Sequence, residues 1–298
     1  MKKIKAIFWL MRWFHEVVVV IPFVGLYFII QYFSNKNNIQ CDSSSIDFLM
    51  LCLCVQSLIA AGCVLNDIAD RDIDKINKPQ THIIDNVISL QEAKIIFISL
   101  TVLIIVLSVY ISVYVFSEWA YISACVYFLS FAYDFYLKRS PLFGNIFMAL
   151  LTAAIPLILF PFTKNCIEAL HNEKLNILIC LYAFLPFFII IPRELSLDIS
   201  DMEGDKACGC KTLPILIGVK RSKYVVVLFL IMEIVFSAII VVNHHYLLGP
   251  FLLTNLMIVY YIYRLQSAVN RIDYIKIGRF LWATMIVGLI GFTVVTII

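Results

Sequence analysis

The sequence predicts an all-α, polytopic membrane protein, and three observations lead there. The chain is 62% hydrophobic with only 14% charged residues, and its mean hydropathy of +0.94 lies well above that of soluble domains. The apolar residues are gathered into runs of about 17 to 25, the length at which a helix crosses a hydrocarbon core. The basic residues fall in alternate loops between those runs.

Taken in order, the runs give nine expected spans, near 15 to 33, 47 to 66, 94 to 114, 118 to 136, 143 to 162, 176 to 193, 223 to 243, 247 to 264 and 278 to 297. The start, Met1-Lys2-Lys3-Ile4-Lys5, resembles the basic head of a signal peptide. Arg12, His15 and Glu16 interrupt the apolar stretch and no small-residue cleavage site follows, so we expect an amphipathic lead-in to an uncleaved first span. An odd number of spans puts the termini on opposite sides.

Alternate connections then hold 20 of the 23 Lys and Arg residues, leaving only Lys36, Lys164 and Lys174 on the other side. The positive-inside rule assigns the basic side, with the N-terminus, to the cytoplasm and the C-terminus to the opposite side. No soluble domain or long linker is visible, so residues 1–298 are expected to form a single domain. The connection 194 to 222, with Gly204, Gly209, Pro214 and Gly218 among its charges, reads as a cytoplasmic cap. No basic tract suggests nucleic acid as a partner.

Carboxylates are expensive near a bilayer, yet nine of the 20 Asp and Glu residues lie in two windows that each follow a long apolar run: Asp67, Asp70, Asp72, Asp74, and Glu194, Asp198, Asp201, Glu203, Asp205. At about 100° per residue, Asn66, Asp67, Asp70 and Asp74 share roughly a quarter of a helix circumference. Glu194, Asp198, Asp201 and Asp205 share an arc of about 60°. Asp72 and Glu203 point elsewhere. Like charges so spaced oppose a bare helix and imply a cation between them; solvated helix ends without a ligand are the alternative. The donors are all hard oxygens, which suit Mg²⁺ better than zinc or copper.

Two such clusters at one end of a bundle could hold two or three Mg²⁺ ions and stabilise a departing polyphosphate. Lys138, Arg139, Arg193 and Lys211 lie on the same side, as phosphate contacts or as plain topology anchors. A site embedded in lipid and serving a polyphosphate implies a substrate with a greasy tail, such as a prenyl diphosphate.

At this point the residues carry a resemblance. Asn66-Asp67-x-x-Asp70-x-x-x-Asp74 followed by Lys75-Ile76-Asn77-Lys78-Pro79 resembles the first motif of the UbiA family of membrane prenyltransferases. Tyr133 through Lys138-Arg139-Ser140-Pro141, then Gly144-Asn145, is similar to that family's connection between its fourth and fifth helices. Asp198-x-x-Asp201-x-Glu203-Gly204-Asp205, with Gly209, Lys211-Thr212-Leu213-Pro214 and Gly218, resembles its second motif.

The resemblance implies nine transmembrane helices around a central cavity open to lipid. It implies an Mg²⁺ site made by Asp67, Asp70 and Asp74 on one side and Asp198, Asp201 and Asp205 on the other. Asp67, Asp70, Asp198 and Lys138 would carry catalysis, with Asn66, Arg139, Arg193, Lys211, Tyr133 and Asn145 as substrate contacts. Ionisation of the prenyl diphosphate would give an allylic cation that a lipid-soluble or aromatic acceptor captures.

Family members commonly carry Arg-Pro shortly after the first motif, where this chain reads Lys78-Pro79-Gln80-Thr81-His82-Ile83. Lys78 and His82 are the candidate replacements, and a plain polar loop is the alternative for His82. The motif wording looks most like the branch that prenylates geranylgeranylglyceryl phosphate, while aromatic acceptors use much the same motifs. A terpene cyclase on the same fold and a cation transporter are the competing readings. Soluble isoprenyl synthases are excluded by hydropathy.

The nine cysteines form no metal or redox motif, and Cys41 with Cys166 could form a disulfide on the outer side. Glu233 lies mid-span, where an ionisable group is a functional candidate by default or the partner of a neighbouring helix. His244-His245 reads as solvated.

Overall fold

The computed structural model describes residues 2–39 and 44–298. Fourteen α-helices are found there: α1 (Lys2–Leu10), α2 (Trp13–Lys36), α3 (Ser45–Ala69), α4 (Arg71–Asn77), α5 (Leu90–Tyr114), α6 (Trp119–Phe135), α7 (Phe143–Ala154), α8 (Leu159–Phe162), α9 (Lys164–Leu170), α10 (Glu173–Ala207), α11 (Leu213–Ile217), α12 (Val219–Asn243), α13 (Leu248–Ser267) and α14 (Arg271–Ile297). Among the described residues there is no strand, only an isolated bridge between Ile84 and Ile88.

Eight segments among the described residues are long and apolar enough to cross a membrane. The expected first span coincides with α2, of which the side chains of residues 14–19, 21 and 22, including His15 and Glu16, lie outside the description. Cys41 also lies outside the described residues; Cys166 is buried. The expected span at 143 to 162 is broken: α7 stops at Ala154, a 3-10 turn follows at Pro156–Ile158, and α8 completes the crossing. Pro156 lacks the amide that an uninterrupted helix needs.

Local signals set the helix starts. Ser44 accepts from Asp47 N at α3 and Asn172 from Leu175 N at α10, while Ser89 and Glu92 form a reciprocal capping box at α5, satisfying amides that have no partner in the first turn. The lipid-facing side is legible in α5, where Ile95, Ile98, Val102, Val106, Val109 and Val113 are all exposed. Their three- and four-residue spacing is one helix face, and an apolar stripe of that length belongs against hydrocarbon.

The helix α10 is the hub. It packs against α14, α7, α12 and α4, and its buried residues include Leu178, Leu185, Ile189, Leu195 and Ile199. The sequence suggested a span ending near 193 and a separate cap, but α10 runs on unbroken for 35 residues. At 1.5 Å per residue that is about 52 Å, well beyond a ~30 Å hydrocarbon core, so its last turns stand clear of the bilayer and carry the second acidic window. Pro186 and Pro192 lie within it.

Candidate functional site

The first acidic window is less regular than a continuous helix. Residue Asp70 closes α3 with φ −91° and ψ 6°, and α4 begins at Arg71. Backbone bonds still run from Asp70 N to Asn66 O at 2.9 Å and from Asp74 N to Asp70 O at 2.7 Å, so the register survives the joint and Asn66, Asp67, Asp70 and Asp74 keep a common side. Asp72 is exposed and pairs with Lys75, as its angle required.

The second window faces the first through a small, tight contact. Asn77 Nδ2 donates to the carbonyl of Asp201 at 3.0 Å, and Gly204 N donates to Asn77 Oδ1 at 2.9 Å. A Cβ on Gly204 would lie 2.6 Å from Asn77 Nδ2, so only glycine lets α4 dock there. A second close approach brings in the turn at Leu137–Arg139: a Cβ on Gly144 would lie 2.9 Å from the Leu137 carbonyl and 3.0 Å from Lys138 Cα.

These contacts gather the expected residues. Lys138 pairs with Asp70 and is within electrostatic reach of Asp205 and Asp134, so its ammonium lies between the two windows. Asn145 Nδ2 donates to Asp198 Oδ2 at 2.8 Å. Tyr133 stacks on Phe147, with centroids 6.2 Å apart, and its hydroxyl feels the charges of Glu194 and Asp198. Residues Arg139 and Lys211 have exposed side chains at the rim, joined by their backbones, Lys211 N donating to Arg139 O at 2.9 Å. Arg193 pairs with Glu194, at the start of the second window, and its guanidinium lies 5.0 Å over the Trp282 ring. Glu203 is exposed.

The network also includes Lys78, a candidate from the sequence, and Arg12, Asp134 and Arg271, which were not singled out there. Arg12, at a left-handed joint between α1 and α2 with φ 52°, donates through Nη2 to Asn66 Oδ1 at 2.9 Å and to Asp67 Oδ1 at 3.0 Å. Asn66 in turn donates to Asp134 Oδ1 at 2.9 Å. Lys78 Nζ donates to Asp74 Oδ1 at 2.9 Å, and Arg271 reaches Asp201 Oδ1 through Nη2 at 3.1 Å. Asp134, an acid within an apolar span, was the one with a sequence signal; contacts from residues 12 and 271 are set by tertiary packing alone.

Partial burial opposes the charge of Lys78, but Asp74 and Asp201 more than offset it, raising its pKa. The exposed Asp85 is lowered by hydrogen bonds from Arg71 and then Lys75; this clamp ties the 79–89 loop to α4, and within the loop Asn86 donates to the His82 carbonyl at 3.0 Å. His82 belongs to that loop. Burial, followed by the Asp205 charge, raises the Cys210 thiol.

The six expected metal ligands do not converge into a closed cage: among the described residues no group of three His, Cys, Asp or Glu is placed to hold an ion. Like charges part unless a cation lies between them, and here side-chain cations or amides take that place. The donor set nevertheless fits Mg²⁺. Asp67, Asp70, Asp74, Asp198 and Asp201 each have one oxygen held by Arg12, Lys138, Lys78, Asn145 or Arg271, while the other oxygen accepts no side-chain hydrogen bond among the described residues. Carboxylates steadied on one oxygen and open on the other are what a hard cation requires. Beside them, Leu58, Ala61, Gly62 and Leu65 of α3 line a small, largely apolar cleft with Phe97, Tyr127, Ser130 and Phe131.

Comparison with known proteins agrees with this geometry. The sequence model of the UbiA prenyltransferase family matches residues 39–285. The chain is 29% identical to digeranylgeranylglyceryl phosphate synthase of Methanobrevibacter smithii over 258 residues, covering 85% of this chain and 88% of that protein. It is 37% identical to the enzyme of that name from Thermococcus kodakarensis over 179 residues, 60% of this chain and 59% of the relative. A structure described as giving insights into digeranylgeranylglyceryl phosphate synthase in membranes superposes with TM-score 0.66 at 26% identity, over 100% of this chain and 99% of that one. A UbiA homologue from Archaeoglobus fulgidus bound to GPP and Mg²⁺ shares the fold, with TM-score 0.61 at 17% identity over 96% and 99% of the two chains. The chain belongs to the UbiA prenyltransferase family and is a membrane prenyltransferase.

Proposed function

We propose that residues 1–298 act as one unit that moves a polyprenyl group from its diphosphate to a lipid acceptor, with geranylgeranylglyceryl phosphate preferred. The single observation that carries this is the facing of the two acidic windows across Lys138, beside an apolar cleft lined by the same α3 that ends in Asn66 and Asp67. The relatives' names support the acceptor class.

Asp67, Asp70, Asp74, Asp198, Asp201 and Asp205 would hold Mg²⁺, which supplies charge neutralisation for the departing diphosphate. Lys138 donates to a diphosphate oxygen, and Arg139 and Lys211 attract the polyanion from the rim. Asn145 fixes Asp198, Arg12 and Asp134 fix Asn66, and the stacked pair Tyr133–Phe147 excludes water from the forming allylic cation. Arg193 acts by holding α10 on α14 through Trp282. The basic loops support a cytoplasmic N-terminus and site, with the C-terminus opposite.

Replacing Asp67 and Asp70 by Asn tests the reading. Prenyl transfer should be abolished while the protein still inserts and runs as a folded species; unchanged turnover would remove these carboxylates from the mechanism.

A further inference from the structure

We infer that Arg271, in the first turn of the last span, is a positioning residue of the site: it holds one oxygen of Asp201 and so presents the other to the bound cation. This rests on the proposed metal-diphosphate reading.

Two donors of one guanidinium meet a single acceptor, with Nε at 3.3 Å and Nη2 at 3.1 Å from Asp201 Oδ1. A third donor, Ser200 Oγ, lies 2.9 Å from that oxygen but also 2.7 Å from the Leu197 carbonyl, and its one proton serves either. The guanidinium supplies the two charged donors that fix Oδ1, with Ser200 Oγ as a shared third, and Oδ2 accepts no side-chain hydrogen bond among the described residues. Charge-assisted bonds of this kind to one oxygen of a carboxylate orient its second oxygen.

The turn that carries Arg271 is itself fixed from several directions. Asp273 Oδ2 accepts from Val269 N at 3.2 Å and Asn270 N at 3.1 Å. The Ala268 carbonyl accepts from Lys223 Nζ at 2.8 Å and Tyr274 Oη at 3.1 Å, and the Lys223 ammonium lies 5.5 Å from the Tyr274 ring centroid. One turn further, Gly278 packs against Arg193 and Leu197 of α10. Asp273 and Tyr274 of α14 and Lys223 of α12 thus brace residues 268–270, the turn that leads into Arg271.

The test is Mn²⁺ binding, followed by electron paramagnetic resonance on purified protein without substrate, in wild type, Arg271→Gln, Arg271→Lys, Asp201→Asn and the double variant Arg271→Gln/Asp201→Asn. Arg271→Gln should weaken Mn²⁺ by about 10- to 100-fold, and Arg271→Lys should recover part of the loss. With Asp201 already Asn, Arg271→Gln should cost nothing further, because its effect passes through that carboxylate. Should Arg271→Gln fail to fold, Arg271→Lys, which keeps the charge and loses the two-donor fork, carries the comparison. Wild-type binding left within twofold by Arg271→Gln, or an equal loss in the Asp201→Asn background, overturns this inference alone. A wild type that binds no Mn²⁺ overturns the metal reading with it.

Discussion

Gly204→Ala isolates the contact that sets one acidic window against the other. The added Cβ would lie 2.6 Å from Asn77 Nδ2, 2.7 Å from Cγ and 2.8 Å from Oδ1, so the whole amide must retreat and both its bonds to α10 stretch. Overpacking of this kind costs about 1–3 kcal/mol, and loss of two hydrogen bonds a further ~1–3 kcal/mol. Alanine's higher helix propensity returns about 1 kcal/mol. The functional consequence is of similar size. Asn77 closes α4, which carries Asp74, so α4 moves off α10 by about 1 Å, a displacement that lowers rates by about 10²-fold where reacting groups must be held in place. The assay is single-turnover prenyl transfer on detergent-solubilised variants checked for monodispersity. Gly204→Ala should lose about 10²-fold in rate, and Asn77→Ala/Gly204→Ala, which removes the clash, should regain part of it. Wild-type turnover in Gly204→Ala would refute the claim that this contact sets the spacing of the windows.

Lys138→Ala leaves Asp70 without the cation that now pairs with it; thermal midpoints without metal should fall, by an amount equivalent to as much as ~3 kcal/mol, and Mg²⁺ should narrow the gap, whereas a gap unaffected by Mg²⁺ would contradict a shared role. Asp85 is held below the ordinary carboxyl range by Arg71 and Lys75, so its contribution to the 79–89 loop is present above pH ~3.9 and disappears as pH falls through the lowered value. Limited proteolysis should therefore cut Asp85→Asn faster than wild type at pH 7, with the difference closing at acid pH; a difference independent of pH would argue against the ion-pair clamp. Glu233 is fully buried and neither oxygen has a hydrogen-bond partner among the described residues, so Glu233→Leu should raise the thermal midpoint and leave turnover unchanged; lost turnover would give that residue a role in the reaction.

Much of the fold was legible because its signals are local. Apolar run lengths gave the crossings. The carboxylate spacing survived even the joint at Asp70, since the bonds Asp70 N to Asn66 O and Asp74 N to Asp70 O keep the helical register. What stayed hidden was pairing between distant elements. Nothing near Arg12 signals Asp67, 55 residues on, and nothing near Arg271 signals Asp201. Likewise nothing near Arg193 signals the Trp282 ring that its guanidinium covers across the helix seam, 5.0 Å away. The extent of α10 was harder to read: the charges and Gly204 after 193 resemble a cap by composition, although their one-faced spacing is that of a helix, and α4 docks on the flank of that helix at Gly204.

The account turns most directly on product identity. Purified protein in lipid vesicles would be incubated with radiolabelled geranylgeranyl diphosphate, with and without Mg²⁺, and offered geranylgeranylglyceryl phosphate, an aromatic acid or no acceptor. The account predicts an Mg²⁺-dependent, doubly prenylated glycerol phosphate as the main product. A prenylated aromatic formed in preference, or a hydrocarbon formed without any acceptor, would contradict it.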